Sequence, residues 1–204
     1  MQASEAGLPQ LLVWRHPRPQ AAQGRCIGQT DLAIDRRKVK RLAHRIRQAA
    51  RRHGWPRVIH TSPLQRCARV GRQLRQWGWE HHVHPAVMEA NFGAWDGLHW
   101  TQISHAEVDA WCARFATYSP GGGECLLDVF SRAATWLRAH QTSSAQPLLM
   151  VGHGGWMLAA RWVLTQEDAP TDARQWPRPA QYGECWALST GPIQYRPVAP
   201  AIHK

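Results

Sequence analysis

The sequence predicts an α/β fold, a three-layer αβα sandwich around a mainly parallel sheet, and three observations carry that reading. Short apolar runs alternate with segments of helical length, the pattern of successive βαβ units. The runs are continuously apolar, as in Leu11-Leu12-Val13-Trp14, which is how strands covered on both faces read. The 204 residues and 23.1 kDa match one ordinary domain, and no repeat, low-complexity tract or linker divides them.

Each element follows in turn. The first strand, Leu11 to Trp14, stops abruptly at Arg15. Asp35 or Asp31 can cap a helix running to about His53, with Val39, Leu42, Ala43, Ile46 and Ala49 on one face. Gly54 and Pro56 end it. Val58-Ile59-His60 is the second strand, and Ser62-Pro63 reads as the N-cap and first position of another helix. That helix buries Leu64, Cys67, Val70, Leu74 and Trp77 and ends at Gly78. His82-Val83-His84 is a short extended piece. Helical pattern resumes around Ala106 to Tyr118 and again from Glu124 to His140. Leu148 to Val151 is a third apolar strand, a helix follows near Trp156 to Leu164, and about Cys185 to Ser189 forms a last strand.

Charge is unevenly spread. Lys and Arg number 25 against 14 acids, a formal +11. Residues 36 to 79 hold 14 of those cations and no acid, so the remainder carries net −3. A basic segment of this kind raises a nucleic-acid- or polyanion-binding module as an alternative. Against it, the cations from 36 to 53 fall on the faces left after Val39, Leu42 and Ile46 are buried. Those at 66, 69, 72 and 75 drift around their helix, and no nucleic-acid-binding signature is present. A solvated arginine-rich exterior is the reading adopted, with no nucleic acid and no membrane among the expected partners. The apolar runs of four to six residues are too short to span a bilayer. Met1 to Gln10 shows no secretory pattern. The five cysteines are odd in number, widely spaced and without a Cys-x-x-Cys pair, which fits reduced thiols in a cytoplasmic protein.

Ligands of such sheets bind beyond the carboxyl ends of the strands. There the sequence places Arg15-His16 after the first strand, Thr61-Ser62 and then Arg66 after the second, and His153-Gly154-Gly155 after the third. Two arginines and two histidines converging at one edge suit a phosphoryl group. Arginine offers a fixed fork of donors for phosphate oxygens, a neutral imidazole can act as nucleophile, and a second can hydrogen-bond the equatorial oxygens.

Leu12-Val13-Trp14-Arg15-His16-Pro17 resembles the Arg-His-Gly opening of the histidine phosphatase superfamily, which includes the cofactor-dependent phosphoglycerate mutases. Thr61-Ser62-Pro63-Leu64-Gln65-Arg66-Cys67-Ala68 is similar to its second motif, and Glu89-Ala90-Asn91-Phe92-Gly93-Ala94-Trp95-Asp96-Gly97 to its acid-bearing stretch. Gly122-Gly123-Glu124 and Val151-Gly152-His153-Gly154-Gly155 complete five motifs in the family's order. The resemblance implies a phosphoglycerate mutase-like fold in one domain over 1–204, with about 85–145 as a helical cap-like insertion over the site. It implies His16 as the residue that becomes phosphohistidine, and Arg15, Arg66 and His153 as holders of the phosphoryl oxygens. Glu89 is then the acid that protonates the leaving alcohol. Gly28 and Gly154 supply backbone donors, and neither metal nor cofactor is required.

Pro17 stands where the family usually has Gly, which removes one N–H and fixes φ. Arg18 to Ala22 lacks the family's usual polar residues, so substrate identity is where this chain departs. The 64 residues from Glu89 to His153 resemble the compact phosphatases rather than the mutases, which carry a longer insertion there. The opening and the stretch Gly24 to Leu32 look most like bacterial α-ribazole phosphatase-like proteins, which implies a small phosphorylated substrate and, in that case, a role in cobalamin biosynthesis. Trp95 and Trp100 are candidate walls of the pocket, whereas Trp55, Trp77, Trp79, Trp111, Trp136 and Trp162 read as packing. Glu124 reads as a helix-starting residue. His81, His82 and His84 read as an exposed polar strand, since no carboxylate or cysteine sits beside them at metal-ligand spacing.

Overall fold

Alternate side chains of the first strand, β1 (Gln10–Arg15), face two different cores. Leu11 and Val13 join one buried cluster, Leu12 and Trp14 the other, as a period of two requires. The structure, a computed structural model, describes residues 10–140, 146–165, 168–189 and 193; the start read as lacking a leader lies outside them up to residue 9.

After β1 come α1 (Arg36–His53), β2 (Val58–Thr61), α2 (Gln65–Arg75) and β3 (Glu80–Val83). Then follow α3 (His105–Ala113), α4 (Leu126–Ala139), β4 (Leu148–Gly152), α5 (Gly154–Thr165) and β5 (Cys185–Ser189). The strands lie in the order β3-β2-β4-β1-β5. All neighbours are parallel except β5, which runs antiparallel to β1. Leu42, Ile46, Val70 and Leu74 of α1 and α2 cover one face with Leu149 and Val151. Phe130, Ala134, Met157 and Ala160 of α4 and α5 cover the other with Met150. The three-layer sandwich is therefore the fold.

Local physics fixes the helix ends. Asp35 caps α1 by accepting from the Arg37 N–H at 2.6 Å, and Gly54 closes it at φ +66°. Asp31, the other candidate cap, accepts from the N–H of Gln65 at 2.7 Å and so serves the start of α2 instead. That moves the helix start from Ser62-Pro63 to Gln65 and frees the Ser62 hydroxyl for another partner. On α1 the buried face carries Ala50 where the spacing suggested Ala49. Most of the basic side chains of α1 and α2 are exposed, as expected of a solvated face.

The segment expected as a cap divides in two. Two short 3₁₀ turns at Gly93–Trp95 and Trp100–Gln102, with α3, build a separate small core around Cys26, Trp95 and Ile103, while a third turn at Pro85–Val87 packs its Val87 into the main core. By contrast, α4 packs in the main core with α5 and belongs to the sandwich layer. Residues 141–145 of that segment lie outside the described residues. No helix among the described residues is long and apolar enough to cross a membrane.

Candidate active site

Because β4 lies between β1 and β2, the ends of three adjacent strands bring Arg15-His16, Thr61-Ser62 and His153 together. The His16 and His153 rings lie 5.0 Å apart, and both side chains are buried. His16 Nδ1 donates to the carbonyl of Pro17 at 2.8 Å, since that oxygen can only accept. The lone pair is thereby left on Nε2. Pro17 lacks an N–H, but its carbonyl holds the His16 tautomer, so the departure from Gly leaves this contact intact. Burial, then the nearby Arg66 charge, holds His16 well below the ordinary histidine pKa, against the opposing pull of the Pro17 carbonyl. His153 is depressed in the same way by burial, by Arg66 and by His16.

Arg66 is 1% exposed and stands at the start of α2. Its guanidinium donates to the carbonyl of Thr30 at 2.8 Å, to the carbonyl of Gly28, and through Nε to His153 Nδ1 at 3.2 Å. With its Nδ1 accepting, His153 presents a proton at Nε2 to the Ser62 hydroxyl, 2.7 Å away. Arg15 donates to the carbonyl of Ala180 at 2.7 Å and lies 4.0 Å over the ring of Tyr182. Its Nε is buried and has no partner among the described residues. Neither arginine forms an ion pair with a described carboxylate; the ion pairs join His82 to Glu80, Arg132 to Glu124 and Arg174 to Asp172. Two arginines without an ion-pair partner among the described residues, beside two neutral imidazoles, form a receptor for an oxyanion.

Glu89, just after the Pro85–Val87 turn, faces the same place and is bonded to the start of α5. Its carboxylate accepts from the N–H groups of Gly155 and Trp156, each at 3.0 Å. The segment bearing it is held by Arg132, which donates to the carbonyls of Ala86, Met88 and Glu89 and pairs with Glu124 at 2.7 Å. Glu124, read from sequence as a helix-starting residue, sits outside α4 and also accepts from the N–H of Asn91 at 2.8 Å. The glycines before it matter through backbone crossing. A Cβ on Gly93 or Gly123 would stand 2.1 Å from the carbonyl oxygen of Gly121 or Asn91.

The structure brings His16, Arg15, Arg66, His153, Glu89 and Gly154 into one site and gives Gly28 a different part. The Gly28 N–H donates to Asp96 Oδ1 at 3.1 Å, so it is committed to holding its own loop rather than a phosphate. Glycine is required there by packing, since a Cβ would meet the Ala90 carbonyl oxygen at 2.2 Å. Gly154 lies against Arg15, whose Nε would be 3.2 Å from a Cβ placed there. Sequence reasoning missed Asp96, Arg132, Tyr182 and the role of Ser62. Only Asp96 and Ser62 carried a signal, as members of quoted motifs.

A cavity of about 510 Å³ opens beside Arg15, Glu89 and Gly154. Phe92, Trp100, Trp111, Phe115, Trp176 and Tyr182 line it. Trp100 is thus a pocket wall as expected, whereas Trp95 is buried in the small core and Trp111, read as packing, lines the cavity.

No curated protein sequence matches this chain significantly. Its fold matches a mycobacterial glucosyl-3-phosphoglycerate phosphatase solved with VO3, at 25% identity and TM-score 0.73 over 89% of this chain and 92% of that one. It also matches TTHB049 of Thermus thermophilus, at 26% identity and TM-score 0.64, over 87% of this chain and 92% of that one. YhfR of Bacillus stearothermophilus, 19% identical with TM-score 0.71 over 88% and 90% of the two chains, shares the fold. Residues 11–182 match the model of the histidine phosphatase superfamily, branch 1. The convergence of five ordered motifs on one buried, cation-lined strand edge has that explanation: the chain belongs to the histidine phosphatase superfamily and is a phosphoric monoester hydrolase.

Proposed function

We propose that this phosphatase hydrolyses the monoester of a small alcohol bearing a flat aromatic group, through a phosphohistidine on His16. α-Ribazole 5′-phosphate, whose base is a benzimidazole, is the named candidate, and with it a step in cobalamin biosynthesis. The observation that carries the substrate class is the cavity. Phe92, Trp100, Trp111, Phe115 and Trp176 beside the reacting groups offer a stacking surface that a phosphoglycerate, small and carrying a carboxylate besides its phosphate, leaves largely unused.

In the first step His16 Nε2 attacks phosphorus while the P–O bond to the leaving alcohol breaks. Its lone pair is available because burial and Arg66 keep the ring neutral and Pro17 holds the other nitrogen's proton. Arg15, Arg66 and His153 take the three equatorial oxygens, where charge collects. The Gly154 N–H, at the start of α5, adds a backbone donor. Glu89 delivers a proton to the leaving oxygen, then takes one from water as that water attacks the phosphohistidine. No step calls for a metal ion.

Rapid-quench labelling with a ³²P-monoester tests the mechanism. Wild type should give an acid-labile, base-stable phosphoenzyme, and His16→Ala should give none; full activity in that variant overturns it. Comparison of kcat/KM for α-ribazole 5′-phosphate, 3-phosphoglycerate and glucosyl-3-phosphoglycerate tests the substrate class. The aromatic ester should lead and should lose most in Trp111→Ala. A glycerate ester in first place refutes the aromatic reading and leaves the phosphohistidine standing.

A further inference from the structure

A second cluster of imidazoles lies away from the active-site residues, on the face of the sheet covered by α4. His60 belongs to β2, His84 follows β3, and His140 ends α4. The outermost two are 80 residues apart, yet one nitrogen from each of the three lies within 4.8 Å of the other two. We infer that His60, His84 and His140 bind one late first-row divalent metal ion, of the class of Zn²⁺, in a three-imidazole site.

Three features support the site. His60 Nδ1 and His84 Nε2 are 2.9 Å apart. Only one proton fits between them, so at least one lone pair already points into the gap, and a cation can replace that proton. His140 Nδ1 donates to the carbonyl of Trp136 at 2.8 Å, which leaves Nε2 as the nitrogen with a lone pair. An outer N–H bonded to a carbonyl is the usual support of a metal-bound histidine. The His140 ring also stacks on the Trp136 indole at 4.1 Å and 16°, which fixes its plane.

The donor set selects the metal. Imidazole nitrogens without a carboxylate suit zinc, copper or nickel and not magnesium or calcium, which require oxygen. Glu80, a carboxylate on the same strand as His82, is paired with that residue at 3.5 Å. Zinc–nitrogen bonds of about 2.0–2.1 Å place tetrahedral ligands about 3.3 Å apart, so the rings need only modest rotation from the present spacing. The ion would tie the sheet edge, β2 and β3, to α4. Three protein ligands leave a fourth position for water.

Zinc titration of full-length protein, stripped with EDTA and freed of it, tests the site by calorimetry and by thermal midpoint. One equivalent should bind with Kd below about 10 µM and raise the midpoint, as any ligand of the folded state must. His84→Ala and His140→Ala, both at partly exposed positions, should each weaken binding by about tenfold or more. His53→Ala, an exposed histidine elsewhere, should leave it unchanged, and His16→Ala should retain the full equivalent. Equal binding by wild type and the two cluster variants overturns the proposal, as does failure of wild type to bind. Loss of the equivalent in His16→Ala places the ion in the active site and overturns it also.

Discussion

Asp96 is the residue on which the placement of Arg66 depends, though it touches neither Arg66 nor the cavity. Its Oδ1 accepts from the N–H groups of Gly28 and Thr30 at 3.1 Å each and from the Thr30 hydroxyl at 2.6 Å. Its Oδ2 accepts from the N–H of Gln29. These bonds set the orientation of the Gly28 and Thr30 carbonyls, the same carbonyls that accept from Arg66. Bonds to a charged acceptor contribute about 1.5–3 kcal/mol each, and they are not additive within one cluster. Water reaches part of this half-buried loop, so Asp96→Ala should cost about 3–5 kcal/mol of stability. Release of the loop moves the guanidinium; a displacement of about 1 Å at a catalytic group lowers rate by about a hundredfold. Asp96→Asn keeps three donors on Oδ1 but turns an NH₂ toward the Gln29 N–H, so it should fall between the two. Urea unfolding gives the first quantity and kcat/KM with p-nitrophenyl phosphate the second. An Asp96→Ala protein within about threefold of wild-type kcat/KM would show that Arg66 is held by its own packing, and the reasoning would fail.

Three further outcomes follow from the same geometry. Glu89→Gln should lower kcat/KM for alkyl phosphates by about 10²–10⁴-fold yet spare kcat/KM for p-nitrophenyl phosphate, whose phenolate departs unprotonated; equal losses would remove Glu89 from the acid role. His16 and His153 are held neutral when folded but take up protons below about pH 6.5 when unfolded, so unfolding consumes protons in acid and stability must fall as pH drops. Each contributes up to about 1.4 kcal/mol per pH unit in that range, and urea midpoints at pH 7.5, 6.0 and 5.0 that did not decline would contradict it. Arg132→Lys should be nearly as damaging as Arg132→Met, because a single ammonium cannot replace a fork reaching three carbonyls and Glu124; recovery of activity by the lysine variant would show that charge alone suffices.

The sheet, the helices and the residues gathered at the strand ends were legible because each left a local trace. An unbroken apolar run marked β1 and β4, and Arg15, His16 and His153 sit within two residues of where those runs stop. The N-cap rule found Asp35 on α1 for the same reason, since its bond spans two residues. What escaped was set by long loops. Asp31 caps a helix 34 residues away, Asp96 organises a loop 66 to 68 residues earlier, and Glu124 pairs with an arginine across a helix start. Gly28 was expected to offer its N–H to a phosphate, but that N–H goes to Asp96, and the neighbour that demands glycine there is the Ala90 carbonyl. The histidines after residue 80 were judged on their own strand alone, and even there Glu80, which pairs with His82, was passed over. His60 and His140 join them only through tertiary packing.

The insertion of β4 between β1 and β2 has a consequence for how the enzyme comes into being. The first two strands are never hydrogen-bonded to each other, so the N-terminal two-thirds of the chain leaves the ribosome with both edges of β1 and one edge of β2 awaiting partners, and no site. Residues 148–152 must slot between them, making ladders to partners 90 to 137 residues earlier. Such non-local closure is slow, and the open edges are exposed to other chains while it waits. Catalytic competence therefore arrives in one step, late in synthesis, when a single five-residue strand joins the two halves.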